Sequence, residues 1–290
     1  MWFKINVFFY RSISYLPLSF FYCFNSVVCL PVLLIGKCGA TSKRNFRRVF
    51  KGKTRREIAF MSYRYNRNRL DYLAEFLKGL YRFSESEMKK RFEFEDLHIL
   101  DKLFENHHFV LAYAGHMINF EWMITLMLHR PDIGMCNLYL SGPKNEWSDW
   151  LDAARARYGA INIPSKSPLR PLIQIDQEMK EGRSKYKGYV FGSLADMDPK
   201  EKAPHTSSLF GRDFEVVTGT ERLGRRFDMG FIYAQITRPK RGYYKVKLKE
   251  LTPNDVETNS YAYTDAFVHE LEKNLIDDPE IWFQWGEPRF

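Results

Sequence analysis

The sequence predicts an α/β protein with a largely parallel central sheet flanked by helices and an N-terminal membrane-anchoring helix. Three observations carry this. From residue 92 onward, short apolar runs alternate with segments of helical periodicity, the βαβα order that builds a parallel sheet. Residues 12–36 contain no charged side chain. Residues 1–56 hold eleven Lys/Arg and no acid, whereas the remaining 234 residues hold 33 Lys/Arg against 35 Asp/Glu. The formal charge of +9 therefore sits at one end of a near-neutral body. The predicted division is 1–53, an apolar segment with a basic linker, and 54–290, the α/β domain.

The uncharged run opens the chain. As a helix its 25 residues would reach roughly 37 Å, enough to cross a bilayer. Pro17, Asn25 and Pro31 interrupt a straight span, so a kinked helix lying in one leaflet is the competing arrangement. A cleaved signal peptide is a third reading, but no small-x-small cleavage site follows. Nine Lys/Arg between Lys37 and Arg56, against Lys4 and Arg11 before the run, orient the body to the cytoplasm. A basic block beside an apolar segment suits an anionic membrane surface; a nucleic-acid binder would spread its basic face over the folded domain. Cys23, Cys29, Cys38 and Cys136 form no metal spacing and no paired framework, in keeping with reduced thiols.

Beyond the linker, Thr54 to Tyr81 has the spacing of a long helix: Ile58, Met61, Leu70, Leu73, Leu77 and Leu80 recur on one side. Ser84-Glu85-Ser86-Glu87 is a capping-box pattern opening a short helix. Phe92–Phe94 reads as a short strand and Asp96–Asn106 as an amphipathic helix. Strands follow at Phe109–Tyr113, Gly134–Leu140, Ala160–Ile163 and Gly188–Leu194. Helices stand between them at Phe120–His129, Glu146–Tyr158 and Pro168–Glu181. Phe214–Val217 reads as a strand, with a helical piece from Thr220. Met229–Gln235 and Tyr244–Leu251 read as strands, and Ser260–Ile276 as the closing helix.

The candidate site lies where the Phe109–Tyr113 strand gives way to a helix, at Ala114-Gly115-His116-Met117-Ile118-Asn119-Phe120-Glu121. With seven His and 35 acidic residues in the chain, one His-x4-acid pair is expected by chance, so spacing alone decides nothing. Position adds weight, because a strand end is where a fold can hold an imidazole at the lip of a cleft. In a continuous helix, residues five apart point about 140° away from each other. His116 and Glu121 can meet only if His116 sits in the turn before the helix. Glu121 would then hold one imidazole nitrogen and leave the other to accept a proton. The plainer reading is a turn histidine that caps or packs, with Glu121 favoured by the helix dipole.

Further candidates carry similar ambiguity. Asn119 caps the helix or orients a substrate. Arg155 and Arg157 end a helix, where they complement its dipole or grip phosphate through paired hydrogen bonds. Asp196 follows the strand Gly188–Leu194, in a loop that lines the ligand crevice or forms a solvated turn. No G-x-S-x-G elbow, P-loop, G-x-G-x-x-G fingerprint or H-E-x-x-H helix is present.

In combination these motifs resemble the late lipid A acyltransferases, the lauroyl/myristoyl transferase family of the lysophospholipid acyltransferase-like superfamily. Gly115-His116-Met117-Ile118-Asn119-Phe120-Glu121 is similar to that family's Gly-His-x-x-Asn-aromatic-Glu motif. Arg155-Ala156-Arg157-Tyr158-Gly159 matches an Arg-x-Arg-aromatic-Gly segment, and Leu194-Ala195-Asp196 an Asp-containing turn. Phe210-Gly211, Thr218-Gly219-Thr220-Glu221 and Pro279-Glu280-Ile281-Trp282 follow in the family's order. The likeness spans nearly the whole chain. It departs at Ile118, usually Gly, at Met197, commonly Gln, and in a basic C-terminal ending reduced to Arg289.

The resemblance implies a membrane-bound enzyme that moves a fatty acyl chain from acyl carrier protein to a hydroxyl of a lipid A precursor. His116 would be the general base and Glu121 would orient it. Asn119, Arg155, Arg157 and Asp196 would bind substrate. No metal, nucleotide or other cofactor and no nucleic acid is implied. The implied location is the bacterial inner membrane, with the catalytic domain on the cytoplasmic face. Alternative readings are acylation of another membrane lipid, lipid-linked pigment or aminolipid, or a non-catalytic lipid-binding protein of the same fold.

Overall fold

The uncharged N-terminal run folds as two helices, α1 (Leu18–Val28) and α2 (Pro31–Leu34), joined through Cys29–Leu30. The break has a local cause. Pro31 lacks a backbone N–H, and the turn around it closes with bonds that span three residues instead of four, Leu30 N to the Val27 carbonyl and Val32 N to the Cys29 carbonyl. The structure, a computed structural model, describes residues 12–35, 39–139, 152, 156–164, 167–199, 202–288 and 290, the side chain of Leu80 aside. Among these residues no helix is long and apolar enough to cross a membrane. The expected single helix over 12–36 is thus a broken one. Its sidedness is reversed relative to a core helix: Phe20, Phe24, Val27 and Val28 are exposed, while Asn25 is buried.

Next come α3 (Ala40–Val49) and the 27-residue α4 (Arg55–Tyr81). Thr54 starts α4 with a capping box: its hydroxyl accepts from Glu57 N, and the Glu57 carboxylate accepts from Thr54 N. The helices α1, α2 and α3 lie against α4. Ser84 caps α5 (Glu85–Arg91) as its sequence pattern predicts. Strand β1 (Phe92–Glu95) and α6 (His98–Phe104) follow.

The central sheet has seven strands in the order β1-β9-β8-β2-β5-β3-β4. They are β1, β2 (Phe109–Ala114), β3 (Ile133–Tyr139), β4 (Ile161–Pro164), β5 (Gly188–Leu194), β8 (Gly230–Lys240) and β9 (Tyr243–Glu250). Strands β8, β2, β5, β3 and β4 run parallel; β9 is antiparallel to β8, and β1 is parallel to β9. Every residue of β2 is buried, as expected of a strand covered on both faces. Helices α7 (Leu126–His129), α8 (Leu169–Lys180), α9 (Gly219–Arg226) and α10 (Ala262–Asp277) complete the described α/β body.

Two expectations shift. The helix predicted over 120–129 is a 3-10 turn at Phe120–Thr125 running into α7. The strand predicted at 214–217 is β7 (Arg212–Glu215), paired antiparallel with β6 (Thr206–Leu209). Thr206-Ser207-Ser208-Leu209 has no apolar run to betray a strand. Phe210 and Gly211, both at positive φ, close the hairpin where an Asn-Gly pair would have been the recognisable signal. The helix predicted over 146–158 falls largely outside the described residues.

Candidate active site

The decisive geometry comes from strand register. Strands β2 and β5 are parallel neighbours, with Ala114 opposite Leu194. His116 lies two residues beyond the end of β2, and Asp196 two residues beyond the end of β5. Equal offsets from a parallel pair bring the two side chains together. His116 Nδ1 is 2.5 Å from Asp196 Oδ1, and the His116 backbone N–H donates to Asp196 Oδ2 at 2.7 Å. The chain leaves β2 toward β3 and leaves β5 toward β8, which lie on opposite sides of the pair. The two loops therefore meet where the direction of winding reverses.

Asp196 is fully buried, whereas the His116 side chain keeps 16% of its surface. Burial pushes the Asp196 carboxyl up. The charge of His116 and hydrogen bonds from its ring, its backbone and the Trp282 indole outweigh this and hold the carboxyl below its ordinary range. An ionised carboxylate only accepts, so Nδ1 of the imidazole carries a proton and donates it to Asp196. Phe120 sets its ring edge-on to the imidazole at 5.2 Å.

The turn is braced from the far end of the chain. Met117 forms an antiparallel bridge with Trp282, Ile118 N donates to the Ile281 carbonyl, and Phe283 N donates to the His116 carbonyl. Trp282 Nε1 donates to Asp196 Oδ2 at 2.6 Å. Gly115 fits for want of space: a Cβ there would stand 2.8 Å from Leu271 Cδ1. The positive φ of the turn falls instead on Asn119, at 60°.

Asn119 is fully buried, and its amide donates to Glu75 Oε2 at 2.5 Å. Glu75 belongs to a buried polar cluster beneath the turn. It also accepts from Tyr22 of α1 and Tyr244 of β9, at 2.8 and 2.5 Å. Arg238 of β8 spans Asp71 and Glu75, and Arg241 pairs with Asp71. Burial pushes the Glu75 carboxyl up against the pull of Arg238 and the tyrosine hydroxyls. Glu121 accepts from the Tyr72 hydroxyl of α4 at 2.7 Å. The carboxylate on the imidazole Nδ1 is thus that of Asp196, while Glu121 sits on the same turn with Tyr72 as a partner.

The model of the family described as bacterial lipid A biosynthesis acyltransferase matches residues 1–290. The chain belongs to that family. A comparison with curated proteins returns no match. Family membership supports acyl transfer as the reaction and lipid as the substrate class.

Within this acyltransferase, the remaining predicted residues are spread more widely. Arg157 donates to the Gly79 carbonyl and, at 3.2 Å, to the Phe83 carbonyl, at and just beyond the C-terminal end of α4. A cation there complements the helix dipole of a distant element. Arg155 lies outside the described residues. Among the described residues, no three His, Cys, Asp or Glu side chains are grouped to hold a metal ion. Residues that sequence reasoning did not place in the site are Trp282, Tyr72, Glu75, Tyr244 and Arg238. Their separation from residue 116 is long, and no spacing rule links them to it. The one available signal is Pro279-Glu280-Ile281-Trp282, a motif with no chemistry legible in its own sequence.

Proposed function

We propose that the protein is a membrane-bound O-acyltransferase that moves a fatty acyl chain from acyl carrier protein to a hydroxyl of a lipid A precursor. The observation that carries the reading is the His116–Asp196 pair at the ends of two parallel strands. His116 Nε2 takes the proton of the acceptor hydroxyl as its oxygen attacks the thioester carbonyl. Asp196 holds the imidazole in that tautomer and stabilises the imidazolium. The tetrahedral adduct then collapses, the C–S bond breaks, and the imidazolium returns its proton to the departing thiolate. The acyl chain passes directly from donor to acceptor, with no acyl-enzyme. Glu121 and Tyr72, beside the imidazole's turn, orient the acceptor. Arg155 binds acceptor phosphate, while Arg157 braces the C-terminal end of α4.

The exposed apolar side of α1 supports a membrane location. Phe20, Phe24, Val27 and Val28 face outward, and Arg44, Arg47, Arg55 and Arg56 are exposed nearby in sequence. This arrangement suits a helix pair lying in one leaflet with basic residues against anionic headgroups. On this reading the body faces the cytoplasm, at the bacterial inner membrane. The test is an assay of the purified protein with acyl carrier protein thioester and a lipid A precursor. Free carrier thiol and an acceptor heavier by one acyl group are expected. Hydrolysis without acceptor acylation, or no thiol release, would overturn the proposal.

A further inference from the structure

We infer that Trp282 is a positioning residue whose indole N–H holds Asp196 in the orientation that faces His116 and withdraws charge from that carboxylate. The inference rests on the base role proposed for His116. Asp196 Oδ2 receives two donors, Trp282 Nε1 at 2.6 Å and His116 N at 2.7 Å. With that oxygen engaged, Oδ1 is the one presented to Nδ1, at 2.5 Å. A carboxylate that could spin would present either oxygen and hold the ring less firmly.

The neighbouring tryptophan shows that this bond is a particular arrangement. Buried indoles need a hydrogen-bond acceptor, and a backbone carbonyl suffices. Trp285 Nε1 takes that route, donating to the Pro279 carbonyl at 2.6 Å. Trp282, with its ring 5.0 Å from that of Trp285, donates instead to the carboxylate bonded to the imidazole Nδ1. Its backbone is pinned to the His116 turn by the bridge to Met117. The donor and the ring it influences therefore move as one unit.

The chemical consequence has a sign. Each hydrogen bond to Asp196 disperses its charge and makes it a weaker acceptor toward the imidazolium. Removing the indole N–H leaves a more basic carboxylate, which stabilises protonated His116. Among the described residues, the titratable groups near the pair include Glu121 on the same turn, bonded to Tyr72 of α4, and Tyr233 of β8. The Tyr233 phenol is pushed well up by burial, then by Asp196 and by Glu270 of α10.

The experiment compares the unmodified protein with Trp282→Phe by NMR titration of the labelled His116 imidazole and by the pH profile of kcat/KM. The His116 midpoint and the acid limb of activity should both rise by about 0.5–1 pH unit, with kcat reduced about 10-fold. An unchanged midpoint, whatever the loss of activity or melting temperature, would reduce Trp282 to a packing residue and overturn the inference. Should the smaller ring unfold the protein, site-specific replacement of Trp282 by benzothienylalanine keeps the shape and removes only the N–H; the same shift is required. The NMR titration needs no substrate. A shifted midpoint in a protein that transfers no acyl group would leave this inference standing and sink the proposed reaction.

Discussion

Two buried polar clusters meet at the His116 turn, and they are built on opposite principles. The upper one, His116, Asp196 and Trp282, joins strand-end loops whose relation is set by sheet register. The lower one, Asp71, Glu75, Arg238 and Arg241, with Tyr22, Tyr244 and Asn119, draws on α1, α4, β8, β9 and the turn. Both centre on fully buried carboxylates. In the upper cluster the hydrogen bonds and the imidazole charge win, and the Asp196 carboxyl lies low. In the lower one burial wins, and the Glu75 carboxyl lies high. A poised charge beside a partly exposed ring is suited to chemistry. A many-sided buried cluster is suited to fixing one arrangement of elements, and its loss is costly.

Breaking the upper cluster should cost function and spare the fold. His116→Ala is expected to lower turnover by about 10²–10⁴-fold with a loss of stability smaller than that of breaking the lower cluster. Near-normal turnover would remove His116 from the reaction. The converse applies below. Arg238→Met leaves Asp71 and Glu75 without their bridging guanidinium and should cost about 3–5 kcal/mol of folding stability. Equilibrium urea unfolding measures it, and a loss below 1 kcal/mol would show that the cluster is not a structural keystone.

Acid titration sharpens the contrast. Because the folded carboxyl of Asp196 is depressed, its stabilisation is present above the unfolded value near 3.9 and is lost only as pH falls further. Asp278 behaves oppositely. Burial pushes its carboxyl up to about 6, and its Oδ2 accepts from Arg238 N. A raised carboxyl makes stability fall as pH rises from about 4 toward 6. Asp278→Asn should relieve this, giving a gain of about 1–2 kcal/mol at pH 7 relative to pH 4. Parallel pH–stability curves for the two proteins would contradict it.

The smallest effect concerns Arg157. Its bonds to the Gly79 and Phe83 carbonyls predict that Arg157→Ala costs about 1 kcal/mol of stability, with Arg157→Lys restoring part. A large rise in KM for a phosphorylated acceptor, unrelieved by lysine, would instead place this guanidinium on substrate. Kinetics and a thermal melt on both variants separate the two.

What was legible in the sequence follows the range of the interactions. Helix starts at Thr54 and Ser84 are local capping chemistry, and both lie where the pattern puts them. The buried strand before His116 is legible because six consecutive small or apolar residues leave little choice. The Nδ1 partner is not, because it depends on which strand lies beside β2, and register is written in no short segment. Asp196 was expected near ligand for its place after a strand; only the Ala114–Leu194 pairing turns that place into contact with His116. Of the lower cluster only Asn119 stands out in the sequence, since Tyr22 and Asp71 read locally as residues of an apolar anchor and of an amphipathic helix.

The reversed sidedness of α1 changes what a truncation means. Tyr22 and Asn25 donate to Glu75 and Asp71, and Arg241 bonds Ser26 Oγ and the Tyr22 carbonyl. Cutting residues 1–36 would not detach a tether from an intact body. It would open two buried carboxylates and their arginines to water. A surface that takes up Phe20 and Phe24 binds α1 only in its folded arrangement, and so adds stability by mass action. If the protein sits at the membrane as proposed, lipid is a folding ligand as well as a location, and detergent that strips it should lower the melting temperature before any activity is measured.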